Sequence, residues 1–494
     1  VDTIDTLKRS ENFYYFTGFT NGVSYLDLGY SLAHLSPVEE MIVPLWTSFL
    51  PVAGIAGKDY EQVSRDLSMV CGGFSSYAEV HAGIDLYSGA RSLRKENEEA
   101  SQGLMHSHVF FRVKALDSTL EEALGLVGSI LTEPDFSDLT HLSEVFFEMR
   151  NDMRSSILPA GSSYASLRAE LGLHPAQGVE ERLRGLTQYL FLENLAEAIG
   201  KEKKESPSSE SPTLLALSES LRSLTSKIFA PGQPILNVTA DKDQMPASID
   251  GISRLQDTLN RASMTFSGNM NSEEPEHEKV YSLARQAMAF LSLPDPPEAL
   301  ELLSYPSKVA YAAAAIPSAV MGTPEQAFEA LLAHILKTGP LWEEIRMKGG
   351  AYGAHAASDG MAGIFSFASY RDPHTTRTLQ VFAETLENMG THGPDPRTLD
   401  LAKIGCISKE LKPLSPGEKG MVGFKRLLYG IDIQIRQRRR DLMLDATSED
   451  LRKSSERLSR AFHKPRVAIL GGEDLLEPLK DSYSGGTIMR ILGR

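Results

Sequence analysis

Apolar residues along the chain switch between two periods, and the switches come in the same order twice. Leu26, Leu28 and Tyr30 alternate with their neighbours as in a strand, and from Pro37 to Leu50 the spacing becomes helical. The paired glycines Gly72-Gly73 after Cys71 suit the left-handed end of a helix, so a helix is predicted to stop there and a strand to begin at Phe74. A second strand is predicted over His108 to Leu116. It leads into an amphipathic helix with Leu120, Ala123, Leu124, Val127, Ile130 and Leu131 on its apolar side and Asp117 as N-cap. Further helices follow, and Ile235 to Thr239 closes the unit as a strand.

The second half repeats this order. Lys308 to Ala313 reads as a strand, and Thr323-Pro324-Glu325-Gln326 offers an N-cap, an N1 proline and a capping-box glutamine ahead of Phe328, Leu331, Leu332 and Ile335. A short helix from Pro340 is predicted to end at Gly349-Gly350, with a strand from Ala351. After a turn at Asp359-Gly360, Ile364 to Tyr370 pairs back as a hairpin, and Asp372-Pro373 starts a helix carrying Leu379, Phe382, Leu386 and Met389. Helix, Gly-Gly, strand, strand, helix therefore occurs twice. The pattern predicts an α+β fold of two related domains, each an antiparallel sheet covered on one face by helices. The first domain is set at 1–262 and the second at 301–494, with a polar, proline-containing linker over 263–300. Lys201 to Pro212 (KEKKESPSSESP) reads as a low-complexity loop within the first domain.

Length and composition narrow the classes. The 494 residues are 41% hydrophobic, enough for full-sized cores, and a formal net charge of -15 argues against a nucleic-acid binder while suiting basic or amphipathic peptide partners. Cys71 and Cys406 are the only cysteines and form no disulfide framework or thiolate metal site. The longest apolar run, Val309 to Met321, is broken by Pro317 and is shorter than the ~20 residues that span a bilayer, so no membrane segment is predicted. The N-terminus lacks a signal-like apolar core and starts with Val, as expected of a processed or excised piece.

Aligning the two glycine pairs shows where the copies differ in chemistry. Three positions before the first glycine stand Met69 and Arg346; three after it stand Ser75 and Tyr352. Only the second copy offers a guanidinium and a phenol, both hydrogen-bond donors at neutral pH suited to a peptide carbonyl or an oxyanion. Gly349 and Gly350 would bring the two to one edge of the sheet. The competing reading makes Arg346 a helix-end cation and Tyr352 an ordinary strand aromatic. No His-x-x-Glu-His or His-Glu-x-x-His occurs, and His106-Ser107-His108 supplies two imidazoles without a third ligand, so no metal site is assigned. Glu276-His277-Glu278 is read as a solvated stretch of the linker, Arg371-Asp372 as structural, and Arg436 to Asp441 (RQRRRD) as a surface helix face or a source of ion pairs between halves.

The run Arg346-Met347-Lys348-Gly349-Gly350-Ala351-Tyr352-Gly353, followed by Phe365 to Pro373 (FSFASYRDP), resembles the C-terminal half of presequence proteases and falcilysin, in the pitrilysin/insulinase superfamily. The resemblance extends over nearly the whole chain, apart from the Lys201 to Pro212 tract and the residues around Glu276 to Pro294. It implies one half of a clamshell zinc metallopeptidase that degrades unstructured peptides. Zinc would lie in a complementary N-terminal half, on the same or a separate chain, and no cofactor in this one. Arg346 and Tyr352 would bind substrate and stabilise the oxyanion, and the chain alone would be inactive. The alternative is a non-catalytic structural or peptide-binding subunit of the same fold. An organelle or a bacterial cell is the implied setting.

Overall fold

The computed structural model describes residues 7–10, 12–84, 104–230, 234–267, 277–292, 300–482 and 488–492. Residues 1–6 and much of the proposed linker, 268–276 and 293–299, lie outside them.

Two six-stranded sheets organise the chain. The first is built from β1 (Leu7–Ser10), β2 (Phe13–Thr17), β3 (Val23–Ser31), β5 (Gly73–Ala82), β6 (Met105–Leu116) and β8 (Ile235–Ala240), while β4 (Gly54–Ile55) and β7 (Pro134–Asp135) form a separate two-residue ladder. The second holds β9 (Leu300–Ser304), β10 (Tyr311–Pro317), β11 (Gly353–Asp359), β12 (Ile364–Tyr370), β13 (Arg466–Gly471) and β14 (Ile488–Arg490). Their orders, β1-β2-β8-β3-β6-β5 and β14-β9-β13-β10-β12-β11, match over five strands, from β2 through β5 and from β9 through β11, while the strands at the other edge differ: β1 opens its domain and runs antiparallel to β2, and β14 closes its domain and runs parallel to β9. The strand after each glycine pair, β5 or β11, is the sheet edge, which bears out the duplication. Most neighbours run antiparallel as expected, but both sheets are mixed. β2 pairs in parallel with β8, and β9 with β13 and β14. These partners are joined through helices rather than hairpins, which allows both to run the same way.

Each sheet buries one face under helices of its own domain. In the first, Trp46, Phe111, Phe229 and Tyr30 pack edge to face or obliquely, and Trp46 Nε1 donates to Thr225 Oγ1 at 2.8 Å. In the second, Phe367 stacks on Phe382 at 4.9 Å and meets Phe462 edge-on at 5.5 Å. The opposite face of each sheet is met by a helix from the other domain. The first-domain helix Gly161–Glu170 lies on β10, β12 and β13, while the second-domain helix Pro416–Leu428 lies on β2 and β8. The exchange depends on a close approach at Gly420, where a Cβ would fall 1.8 Å from Thr239 Oγ1. Met421 and Phe424 then pack on Tyr14 and Phe110. The domains are further tied by Arg168, whose Nε donates to Glu301 Oε2 at 2.8 Å and whose Nη1 donates to Glu181 Oε1 at 3.3 Å and to Leu291 O at 3.1 Å, all buried.

Several local expectations change. Lys201 to Pro212 is mostly ordered, because the Glu202 carboxylate accepts from Ser211, Lys279 and both the amide and the hydroxyl of Thr213, joining helices Leu186–Glu205 and Pro212–Phe229. Within the proposed linker, His277–Phe290 is a helix packed on those same two helices, with Val280, Ala284 and Ala287 buried. The first-domain helix Met245–Ser267 overruns the boundary at 262. Asp117 opens a 3-10 turn and accepts from Ser24 Oγ instead of capping the next helix. Gln326 does not close a capping box; its Oε1 accepts from Arg439 Nε at 2.9 Å. No helix among the described residues is long and apolar enough to cross a membrane.

Candidate functional site

The segment carrying Arg346 is a π-helix, Trp342–Lys348, whose widened turns shift side chains relative to an α-helix of the same sequence. It ends on two glycines with separate jobs. Gly349 stays right-handed, and a Cβ there would press to 2.7 Å from Ile345 O. Gly350 takes φ +77°, the left-handed conformation that reverses the chain, and the amides of Gly350 and Ala351 donate back to Arg346 O and Ile345 O. Tyr352 N then donates to Tyr370 O at 3.0 Å, which starts the edge strand. At the first glycine pair the helix Tyr60–Val70 stops instead with Cys71 in extended backbone and neither glycine at positive φ, so the predicted left-handed cap there is absent. Met69 at that helix end is 81% exposed.

The second turn brings the two predicted side chains together. The guanidinium carbon of Arg346 lies 5.6 Å from the centre of the Tyr352 ring, and Tyr352 is 65% exposed. Among the described residues neither side chain has an ion pair or a side-chain hydrogen bond, so the guanidinium N–H groups and the phenol remain available to a ligand. Lys348, by contrast, is engaged by Glu343 and Glu344 at 2.9 and 2.7 Å. Trp342 and Met347 stand exposed beside the pair.

The pair belongs to a longer row that the sequence reading missed. Tyr352 meets Tyr370 at 5.7 Å between ring centres, and the Arg371 guanidinium lies 5.4 Å over the other ring. The order is thus cation, phenol, phenol, cation. Arg371 has φ 50°, unusual for a residue with a Cβ. The following residue pins it: buried Asp372 exchanges backbone hydrogen bonds with Ala310 at 2.8 and 3.0 Å, and its Oδ1 accepts from His374 N at 2.8 Å. Asp372 therefore fixes a turn before the helix Thr375–His392 and is not its N-cap. The available signal was Tyr370-Arg371 adjoining a β-bridging aspartate.

A cleft of about 820 Å³ opens near the far end of β11, between the hairpins of the two domains, with His81, Glu170, Glu180, His355, Asp359 and Ser366 on its walls. It is not lined by Arg346 or Tyr352. Burial pushes the Glu170 carboxyl up to about 7, with Asp359 and Glu180 adding to the effect and a hydrogen bond to Ser366 opposing it. Nearby, burial would raise Glu79, but hydrogen bonds from His81, Lys425 and Tyr429 hold it down to about 2. These ties occupy the carboxylate that stands across the ladder from His108. Burial lowers the imidazoles of His106 and His108, the latter to about 4. Among the described residues no group of three or more His, Cys, Asp or Glu is placed to hold a metal ion, so those residues do not fit a zinc site.

Two mixed sheets with exchanged helices define a peptidase M16-type fold. The chain superimposes on the peptidase M16 inactive domain from Pseudomonas fluorescens with a TM-score of 0.56, 15% identity, and 94% of this chain and 98% of that one covered. A conserved protein from Enterococcus faecalis gives a TM-score of 0.61 at 11% identity, covering 93% and 96%. Residues 2–195 match the associated-domain family of peptidase M16, subfamily C, and residues 301–471 match the PreP C-terminal domain. The chain is 25% identical to the mitochondrial presequence protease of Xenopus tropicalis, over 92% of its own length and 42% of that protein's. It is 24% identical to presequence protease 1 of Arabidopsis thaliana, over 92% and 38%. An uncharacterized protein of Borreliella burgdorferi is 26% identical over 82% and 38%. By these matches the chain corresponds to the C-terminal half of presequence-protease-like M16 peptidases. It spans about two-fifths of the length of these curated relatives.

Proposed function

We propose that this chain is the substrate-positioning half of a clamshell zinc metallopeptidase that degrades unstructured peptides, with the zinc ligands on a complementary N-terminal half in the same or a separate chain. One observation carries the reading: two unpartnered donors, Arg346 and Tyr352, stand together at the exposed start of an edge strand. Arg346 donates to a peptide carbonyl and Tyr352 to the oxyanion that develops on the attacked carbon, while the Gly349-Gly350 turn sets their separation. Neither transfers a proton. Donors fixed before substrate arrives cost little reorganisation during reaction, which is where their effect on rate comes from.

The test is reconstitution. The zinc-bearing half of a presequence-protease-like relative is assayed on an unstructured peptide alone, mixed with this chain, and fused to it. Cleavage should require this chain and should fall when Arg346 and Tyr352 are replaced. A zinc half that cleaves equally well alone, or a mixture indifferent to both replacements, assigns the chain instead to a structural or peptide-binding role.

A further inference from the structure

The open face of β11 joins the Arg346/Tyr352 row to the cleft at the far end of the strand. Gly353, His355, Ala357 and Asp359 alternate onto one side of the sheet, opposite Tyr370, Ala368, Ser366 and Ile364 of β12. On that side the helix Gly161–Glu170 lies over β10, β12 and β13, while His355, Ala357 and Asp359 stay exposed at the edge beside it. The floor is made of small residues. Gly353 leaves open the space between two rings: a Cβ there would stand 3.9 Å from Tyr370 Cβ and 4.0 Å from His355 Nε2. Tyr370 is in turn 5.7 Å from Tyr352, ring centre to ring centre. Ala357, Ser366 and Ala368 continue the strip into the cleft, whose other wall is the end of β5, Val80 to Ala82. From Gly353 to Asp359 the strip covers six strand steps, about 20 Å.

The far end of the strip carries negative charge without a counter-ion. Glu170 and Asp359 both line the cleft, and among the described residues neither forms an ion pair. Asp359 Oδ1 accepts from the amides of Met361 and Ala362 at 2.8 and 3.2 Å, and Glu170 is hydrogen-bonded to Ser366, so the partners of both are neutral. Glu180, a third carboxylate of the cleft, is met by Arg184, whose Nη2 donates to it at 2.8 Å. Burial weighs most on Glu170, and Asp359 and Glu180 act on it with its own sign, so the chain keeps this carboxyl at a cost in stability. A cation between Glu170 and Asp359 offsets that cost. Among the described residues no three ligands are placed to hold a metal ion, whereas an ammonium or guanidinium on an apolar stem suits a cleft floored with alanine and edged by carboxylates.

We propose that the substrate lies extended along this face of β11 from the Arg346/Tyr352 pair, and that the cleft takes one of its lysine or arginine side chains, about six residues from the residue held by the pair, between Asp359 and Glu170. This rests on the reading of the pair as the one that grips the peptide, and it names the class of peptide: basic at a set distance on one side of the cut. The test has a binding arm, which needs no zinc-bearing half, and a cleavage arm. A fluorescein-labelled, unstructured peptide of Gly, Ser and Ala with a single lysine is titrated with the whole chain at pH 8 and followed by anisotropy, beside the same peptide with norleucine in place of lysine. The lysine peptide should bind about tenfold or more tightly than its norleucine counterpart. Asp359→Asn and Glu170→Gln should each erase most of that preference; the asparagine keeps the oxygen that holds the turn, and thermal melting controls for folding. Ala357→Phe, which fills the strip, should weaken both peptides. With the zinc-bearing half added, moving the lysine along the peptide should move the cut by the same number of residues. Equal affinity for the two peptides, a preference that survives both carboxylate replacements in folded chains, full binding in Ala357→Phe, or a cut that stays in place as the lysine moves would each overturn the inference. A reconstituted mixture that cleaves nothing counts against the half-enzyme reading, and the binding arm still decides the cleft. Should a variant fail to fold, the comparison of lysine with norleucine on the wild-type chain decides.

Discussion

Arg346 and Tyr352 lie six positions apart in sequence, yet the guanidinium carbon of one stands 5.6 Å from the ring centre of the other, across a turn that only this domain makes. Both are exposed, so little packing is lost when either is replaced. In the complete enzyme Arg346→Ala and Tyr352→Phe are expected to lower turnover by ~10²–10³, the usual cost of one oxyanion donor. Melting of the isolated variants should shift stability by less than about 0.5 kcal/mol, as for other surface positions. Arg346→Lys should not restore the rate, because an ammonium lacks the planar fork. Wild-type turnover in both variants would return the pair to an ordinary helix end and strand start.

Replacing Gly350 should act differently from replacing the matching glycine of the first domain. At φ +77° an L side chain is strained, so Gly350→Ala is expected to cost about 1–2 kcal/mol and to move Arg346 away from Tyr352. Gly73 is not at positive φ, and a Cβ there meets nothing within 4 Å. Gly73→Ala should therefore be nearly neutral. Urea unfolding of the two variants side by side measures the difference, and equal effects would contradict the distinct roles of the two turns.

How much of this was legible follows from the range of each interaction. Alternation at Leu26, Leu28 and Tyr30 and the hairpin turn at Asp359-Gly360 are local, and they located strands and both glycine turns. The Arg346/Tyr352 pair was readable because its members are six residues apart. Nothing local shows that Gly161–Glu170 crosses to the second sheet or that Gly420 must be small for Thr239. The charged tract after Lys201 reads as disordered by composition, since its organising contacts run from Glu202 to Ser211, Thr213 and Lys279. Arg371 reads as structural in sequence, and its place with Tyr370 in a row with Tyr352 and Arg346 is hidden there because it depends on a β-bridge between Asp372 and Ala310.

The buried Arg168 group predicts an asymmetry in what each change costs. Removing the cation takes from Glu181 and Glu301 the buried guanidinium that donates to both, leaving Arg466 as the cation that acts on Glu301, and Arg168→Met is expected to destabilise by about 3–5 kcal/mol. Adding Glu181→Gln and Glu301→Gln to the same chain should recover part of the loss, because the two carboxylates are then neutral, while Arg466 gives up the charge of Glu301. Chemical denaturation of the single and triple variants provides the comparison. A triple variant no more stable than Arg168→Met would mean that packing, and not uncompensated charge, sets the cost.

Glu170 predicts a dependence on pH with a definite sign. Its carboxyl is pushed up to about 7 in the fold, whereas an unfolded glutamate ionises near ~4.3. Between those values the folded chain binds the extra proton, so this group's contribution makes stability fall as pH rises through about 4.3 to 7, and the loss is complete above that window. Glu170→Gln removes this contribution: variant and wild type should be nearly equal at pH 4 and differ by on the order of 3–4 kcal/mol, in the variant's favour, at pH 8. Glu79 behaves in the opposite sense, since it is held down to about 2; its contribution is present above about 4.3 and is lost only as pH falls toward 2. Burial of His106 and His108 alters the absolute curve at acidic pH, but equally for both chains, so the difference between them reports Glu170 together with its repulsion from Asp359 and Glu180. Urea unfolding at several values between pH 4 and pH 8 gives that difference directly, and a gap that does not widen with rising pH would show that Glu170 is solvated like any surface carboxylate.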